Sequence, residues 1–250
     1  MKEVQINGTM VPFRSCGHAT NGDILLDLVL ESRVFDDWSH SIDSRFSISE
    51  IILEKVDFKG TPSSANVMFV RLAVTIEGKD HKQIVQLRGG TCVMLPILTC
   101  GMCQYTILVS QPRIAVGDFL LEELPAGMID GGSFSGAAAR ELKEELGLTF
   151  EESELIDITG SDGIYLSPGL LDEKARVYLA QREVTSEELE ELKGKVTGVE
   201  EEGERMELSV HVVDFFELVE RSRDAKSIAA MGLYANYLYK QLEKNSESKE

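Results

Sequence analysis

Three glutamates at 141, 144 and 145 fall within a stretch, residues 136–146, whose composition predicts a helix closed by Gly147 at the position after its last turn. The spacing i, i+3, i+4 puts all three carboxylates on one helical face within about one turn. Like charges so placed repel, and a hard divalent cation such as Mg²⁺, which takes oxygen ligands and bridges protein carboxylates to substrate phosphates, would relieve that repulsion. The same spacing also suits a solvated charged face with Arg140 and Lys143 as local partners. The glycine-rich run before it, Gly131-Gly132-Ser133-Phe134-Ser135-Gly136, lacks the Lys-Ser/Thr of a phosphate-binding P-loop and does not match the dinucleotide fingerprint, so it reads as a structural turn.

A second pattern is Cys100-Gly101-Met102-Cys103. A structural zinc site needs four ligands, and neither Cys16, Cys92 nor His18, His40, His81 and His211 supplies a second pair of comparable spacing. The motif lies between the apolar runs 92–98 and 105–109, where a glycine-containing connection predicts a hairpin turn. It reads first as two thiols at a turn, with a metal or redox role as the alternative. Four cysteines in 250 residues suit a reducing compartment and argue against a disulfide scaffold.

The elements that must position these residues change in kind along the chain. Over residues 22–86, apolar stretches at 24–30, 51–56 and 67–76 are separated by polar turns, which predicts strands and a mostly β front half. Residues 94–98 and 106–109 continue as buried strands. After the glycine-rich turn and the helix at 136–146 come an acidic helix at 185–193, a strand at 208–213 and an amphipathic helix at 224–242. No internal repeat is visible. The pattern predicts an α/β protein with an N-terminal β-rich subdomain, residues 1–88, a main domain, residues 89–242, and a charged tail, residues 243–250.

With 43 Asp and Glu against 25 Lys and Arg, the net charge is −18. So acidic a surface repels phosphate backbones, which argues against nucleic-acid binding and means that a phosphorylated ligand would need a cation to mediate it. No apolar run approaches the roughly 18 residues of a membrane span, and Met1-Lys2-Glu3-Val4 opens no signal peptide, so a cytoplasmic protein without a membrane partner is expected.

Residues 124–148, LPAGMIDGGSFSGAAARELKEELGL, resemble the signature of the Nudix hydrolases. Gly127 opens the pattern, and Arg140-Glu141-Leu142-Lys143-Glu144-Glu145-Leu146-Gly147-Leu148 closes it without a mismatch. The opening half departs: the first glutamate of the pattern falls on Ser133, and the spacing to Arg140 is one residue short. Beyond this box, Glu123-Leu124-Pro125-Ala126-Gly127-Met128, Ser110-Gln111-Pro112-Arg113 and the stretch from Gly194 through Val210-His211-Val212-Val213 resemble the ADP-ribose and ADP-sugar pyrophosphatase branch. The stretch from Asp224-Ala225-Lys226 to Gly232-Leu233-Tyr234 is similar to the end of plant-type ADP-sugar diphosphatases, which share the shortened box.

The resemblance implies a Nudix-type α/β/α sandwich with a mixed sheet. It implies Mg²⁺, replaceable by Mn²⁺, held by Glu141, Glu145, a supporting Glu144 and the backbone carbonyl of Ala126, with Arg140 orienting the carboxylates. In that branch the base that activates water lies ahead of the Val-His-Val-Val strand. Counting six back from Val210 gives Glu204, with Glu200, Glu201, Glu202 and Glu207 as neighbours and Glu144 as the choice of some relatives. Arg113 matches a substrate-contacting or fold-anchoring arginine. Ser167-Pro168-Gly169 with Asp172-Glu173 resembles a substrate loop in which Pro168, Gly169 and Glu173 would meet the ligand. The implied reaction is hydrolysis of an ADP-sugar, ADP-ribose or ADP-glucose, to AMP and a sugar phosphate by a homodimer. The alternatives are a UDP-glucose or other nucleotide-sugar pyrophosphatase, and a degenerate module that binds a nucleotide without turnover. Ser133 favours the degenerate module and the intact Arg-Glu-x-x-Glu-Glu half opposes it.

Overall fold

The computed structural model describes residues 1–16, 22–128, 136, 139, 148–160, 162–197, 200–201, 204–205 and 208–247. The chain divides into two compact units. One comprises Met1–Gly90 with Ser167–Glu173, the other Thr91–Leu166 with Lys174–Glu250.

The first unit opens with a hairpin of β1 (Lys2–Ile6) and β2 (Thr9–Ser15), joined by Asn7 and Gly8 at φ 50° and 80°. Two successive positive φ values make the type I′ turn whose twist matches its flanking strands. Helices α1 (Gly22–Leu30) and α2 (Arg33–Ser41) then lead to β3 (Ile48–Phe58), which lies parallel to β2. β4 (Val67–Ile76) and β5 (Gln83–Leu87) complete a five-stranded sheet in chain order.

The strand expected at 24–30 is therefore helix α1. An apolar run this short fits either period, and two constraints favour the helix. Parallel β2 and β3 require a crossover, which is usually helical. The helical period also sets Asp23 and Asp27 one turn apart, where they pair at 2.9 Å with the N-terminal amine and at 2.9 Å with Lys2, while Leu26 and Val29 are buried. The unit has its own core, in which Phe13 stacks on Phe35 at 5.3 Å and Trp38 packs on Phe35 at 5.5 Å.

The second unit is built on β6 (Gly90–Cys100), β7 (Cys103–Arg113), β12 (Lys174–Glu183) and β16 (Leu208–Asp214). The sheet order is β10 (Ile156–Asp157), β12, β6, β7, β16, β13 (Val196–Thr197). The short β8 (Asp118–Glu123), β9 (Ala126–Met128) and β11 (Ile164–Tyr165) pair with β7, β6 and β12.

Side chains alternate across this sheet. Cys92, Met94, Ile107, Val109, Tyr178, Ala180 and Val210 share one face with Leu189 and Leu192 of α3 (Ser186–Leu192) and with Ala139, which like Gly136 is helical. Val93, Leu95, Ile97, Leu108, Val177, Leu179 and Val213 share the other with Leu218 of α4 (Leu218–Arg221) and with Ala230 and Tyr234 of α5 (Ala225–Glu247). A sheet covered on both faces needs continuous apolar strands rather than alternating ones, which is why Cys92-Val93-Met94-Leu95 reads as an unbroken run. The α/β class and the α/β/α layering are those expected. The acidic helix α3 begins at a reciprocal cap, with Thr185 Oγ1 accepting from Glu188 N–H at 3.2 Å and Glu188 accepting from Thr185 N–H at 2.7 Å.

Leu95 is fully buried between the sheet and the α5 layer. Leu95→Ala is expected to lower unfolding free energy by about 2–5 kcal/mol, whereas Met102→Ala, at an exposed turn, changes it by less than about 0.5 kcal/mol. Urea unfolding of both variants checks the contrast.

Candidate functional site

Of the residues implied to hold a cation, the described part is the loop entry, and its placement starts from a charge. Glu123, the last residue of β8, is only 2% exposed. Its carboxylate accepts from Arg113 Nε at 2.7 Å and from Lys226 Nζ at 3.2 Å, and Lys226 also donates to Asp224 at 3.0 Å. An unpaired carboxylate at that depth would cost several kcal/mol. Here it has cations from the end of β7 and from the start of α5.

The next groups are held as firmly. Leu124 N–H donates to the Ser227 hydroxyl at 3.2 Å, Ser222 donates to the Glu122 carbonyl at 2.7 Å, and the two serine oxygens lie 2.9 Å apart. The Pro125 carbonyl accepts from Met94 N–H at 2.9 Å. Hydrogen-bonded and non-bonded pairs alternate along an antiparallel ladder. With Met94 opposite Pro125 bonded, Val93 opposite Ala126 is the non-bonded pair, so the Ala126 carbonyl points away from β6. Gly127 turns its own carbonyl back, where it accepts from Thr91 Oγ1 at 2.9 Å. A carbonyl left out of the ladder is the hard oxygen donor that a Mg²⁺ ion takes, so this part of the donor set fits. Arg140, Glu141, Glu144, Glu145 and Ser133 lie outside the described residues. Among the described residues no three His, Cys, Asp or Glu side chains cluster as a metal site would require.

Glu204 begins β15 (Glu204–Arg205), which pairs with β14 (Glu200–Glu201) in a small hairpin where Glu201 opposes Glu204. That hairpin leads into β16, whose Val210 opposes Val109 of β7. Glu202 and Glu207 lie outside the described residues. Arg113, expected as a substrate or anchoring residue, meets Glu123.

The expected substrate loop belongs to the first unit. Pro168 and Gly169 are exposed in a turn closed by Leu171 N–H on the Ser167 carbonyl at 2.9 Å. Glu173 is 6% exposed and faces Arg88 at 3.4 Å. Asp172 accepts from the backbone N–H groups of Arg88 at 2.7 Å and Gly89 at 3.3 Å. Its burial raises its pKa above the ordinary carboxylate value, and those two N–H bonds oppose the rise without cancelling it.

Sequence reasoning gave no role to Ser227 or Arg88, quoted Glu123 and Lys226 only within resembling segments, and placed Asp172 in the substrate loop without its partners. One signal was available: Glu122-Glu123 sits inside the apolar run Phe119 to Leu124, and a charge there needs a buried partner. The thiols of Cys100 and Cys103 sit at the β6–β7 turn, where the spacing placed them.

The NUDIX domain family matches residues 102–229. The chain is 31% identical over 225 residues to Nudix hydrolase 14, chloroplastic, of Arabidopsis thaliana, covering 82% of this chain and 71% of that protein. It is 44% identical over 70 residues to Putative nudix hydrolase 2 of Caenorhabditis elegans, covering 28% of this chain and 29% of that one. Among solved structures, an ADP compounds hydrolase superposes with a TM-score of 0.50 at 18% identity, over 80% of this chain and 98% of that one. The chain belongs to the Nudix family of hydrolases. No helix among the described residues is long and apolar enough to cross a membrane.

Two outcomes follow from the buried charges. Glu123→Gln leaves Arg113 and Lys226 facing an amide and is expected to cost about 1–3 kcal/mol in urea unfolding, with Arg113 partly solvated. Glu122→Gln, which loses a more exposed pair with Arg221, costs less than about 1 kcal/mol. Because the folded protein raises the Asp172 pKa, it holds a proton there that the unfolded chain has released, so this group's contribution to stability falls as pH rises from the ordinary carboxylate range through the raised value. Asp172→Asn should flatten that part of a stability-versus-pH profile, and an unchanged slope would assign it to other groups.

Proposed function

We propose that this Nudix hydrolase cleaves the diphosphate of an ADP-sugar, ADP-ribose or ADP-glucose, to AMP and a sugar phosphate, and that it requires Mg²⁺, for which Mn²⁺ substitutes. The observation that carries the reading is the meeting of Arg113, Glu123 and Lys226 in one ion network. These residues come from three separate segments that each resemble the ADP-sugar branch, and the network fixes the strand that presents the Ala126 carbonyl.

In this reading Ala126, Glu141, Glu145 and a supporting Glu144 hold the cation, and Arg140 orients the carboxylates by ion pairing. The bound cation would neutralise the diphosphate charge that otherwise repels an attacking hydroxide. Glu204 removes the proton from the attacking water, and a base carried on a hairpin ahead of β16 can close over substrate after it binds. Arg113 holds the β8 edge through Glu123. By the resemblance alone, Pro168, Gly169 and Glu173 are assigned to ligand contact. A sugar on the second phosphate offers binding energy that a bare phosphate lacks, which favours ADP-sugars over nucleoside triphosphates. The protein is proposed to act as a homodimer through its N-terminal unit and to reside in the cytoplasm, a reducing compartment that four cysteines without a disulfide suit.

A panel of nucleotide sugars and triphosphates assayed with Mg²⁺, read as phosphate released after phosphatase coupling, tests the assignment. ADP-ribose or ADP-glucose is expected to give the highest kcat/KM, and excess EDTA is expected to abolish turnover. Faster hydrolysis of ATP or UDP-glucose would reassign the substrate, and undiminished turnover in EDTA would remove the metal. Glu145→Gln should abolish most of the activity with the fold intact. Glu204→Gln should lower kcat by about 10²- to 10⁴-fold with KM nearly unchanged, and Glu202→Gln and Glu207→Gln should cost little. A larger loss from either control would move the base. Light scattering at assay concentration should give the mass of a dimer.

A further inference from the structure

The cysteine pair has no part in the proposed hydrolysis, yet its placement is specific. The β6–β7 ladder runs Leu98 opposite Tyr105, Thr99 opposite Gln104 and Cys100 opposite Cys103. The connecting loop is only Gly101, at φ 60°, and Met102. Glycine at the first of two loop positions, with no positive φ at the second, makes a type II′ turn, and the residues flanking such a turn form its closing hydrogen-bonded pair. Opposed residues of that kind send their side chains to the same face with Cα atoms about 5.5 Å apart, inside the roughly 4.4–6.8 Å that a disulfide spans, and closure draws their Cβ atoms together by about 1 Å at the end of the hairpin.

The surroundings agree with this placement. Cys103 is exposed and Cys100 half-buried. Tyr105 shares their face, and its phenol is held above its ordinary pKa by Cys103 first, with burial and Cys100 adding to the effect. Cys100 Sγ also lies 3.6 Å from the Ser186 hydroxyl at the start of α3. The other two thiols lie elsewhere: Cys92 is buried in the core with its Sγ 3.4 Å from the Gly127 carbonyl, and Cys16 is exposed with its Sγ 3.5 Å from the Glu54 carbonyl.

We propose that Cys100 and Cys103 are a reversible oxidation site, a dithiol that a hydroperoxide closes into a disulfide across the hairpin tip. The exposed Cys103 thiolate attacks the peroxide, whose O–O bond breaks to release an alcohol or water, and Cys103 becomes a sulfenic acid. Cys100 sulfur then attacks Cys103 sulfur, the S–O bond breaks, and water leaves with the thiol proton. Two thiols and one hydroperoxide thus give one disulfide, one alcohol or water, and one further water. The sulfur pair loses two electrons, which reduce the peroxide oxygens. A small-molecule dithiol restores the pair by exchange.

The test uses the full chain, reduced, freed of reductant, exposed to hydrogen peroxide, then alkylated under denaturing conditions, digested and read by mass spectrometry. The expected product is a peptide spanning Cys100 and Cys103 that lacks two hydrogen atoms, carries no alkyl group and regains two alkylatable thiols after dithiothreitol. In Cys100→Ser the resolving sulfur is gone, so Cys103 should advance to sulfinic acid, which dithiothreitol does not reverse. The proposal is overturned if both cysteines stay alkylatable at a peroxide dose that oxidises Cys16. It is equally overturned if Cys103 reaches sulfinic acid as readily in the wild type as in Cys100→Ser.

Discussion

The second unit depends on one buried negative charge. Water solvates a carboxylate far better than a protein interior does, so Glu123 is tolerable at its depth only where cations come to it. Arg113 arrives from the end of β7 and Lys226 from the first turn of α5, 103 positions along the chain. The three fix the angle at which the chain leaves β8. Leu124 and Pro125 follow with their backbone groups bonded to Ser227 and Met94, and the Ala126 carbonyl is turned off the ladder as a consequence. The charge thus converts a long-range ion network into the direction of one backbone oxygen.

This arrangement also explains what the sequence made legible and what it hid. The central strands could be read because a sheet buried on both faces needs unbroken apolar runs, and few other structures demand them. Helix α3 was legible as the acidic stretch at 185–193, and its cap, Thr185 with Glu188, lies within four residues. The front half misled at 24–30 because a short apolar run carries no period of its own, and the deciding facts were remote: a parallel partner strand and the cations at Met1 and Lys2. The Asn7-Gly8 hairpin carried a strong local signal, lying ahead of the stretch that drew attention as strands.

The candidate site divides along the same line. A local pattern singled out Ala126, whose carbonyl is turned off the β6 ladder. The partners that hold Ala126 in place were invisible, since nothing near Lys226 says that its ammonium meets a carboxylate on β8. Asp172 and the backbone of Arg88 are likewise 84 positions apart. Motifs record the groups that face a substrate, and the supporting charges are recorded only in the fold.

The return of Ser167–Glu173 to the first unit bears on how the protein is made. A ribosome delivers the chain from its N-terminus, and most N-terminal domains can close while the rest is still being synthesised. This unit closes late, because the Gln86 N–H that bonds the Leu170 carbonyl and the Arg88 and Gly89 amides that bond Asp172 wait for residues emerging some eighty positions later. Its β4–β5 edge is therefore unfinished until the 167–173 segment is made, and the order of synthesis ties completion of the first unit to the emergence of about half of the second.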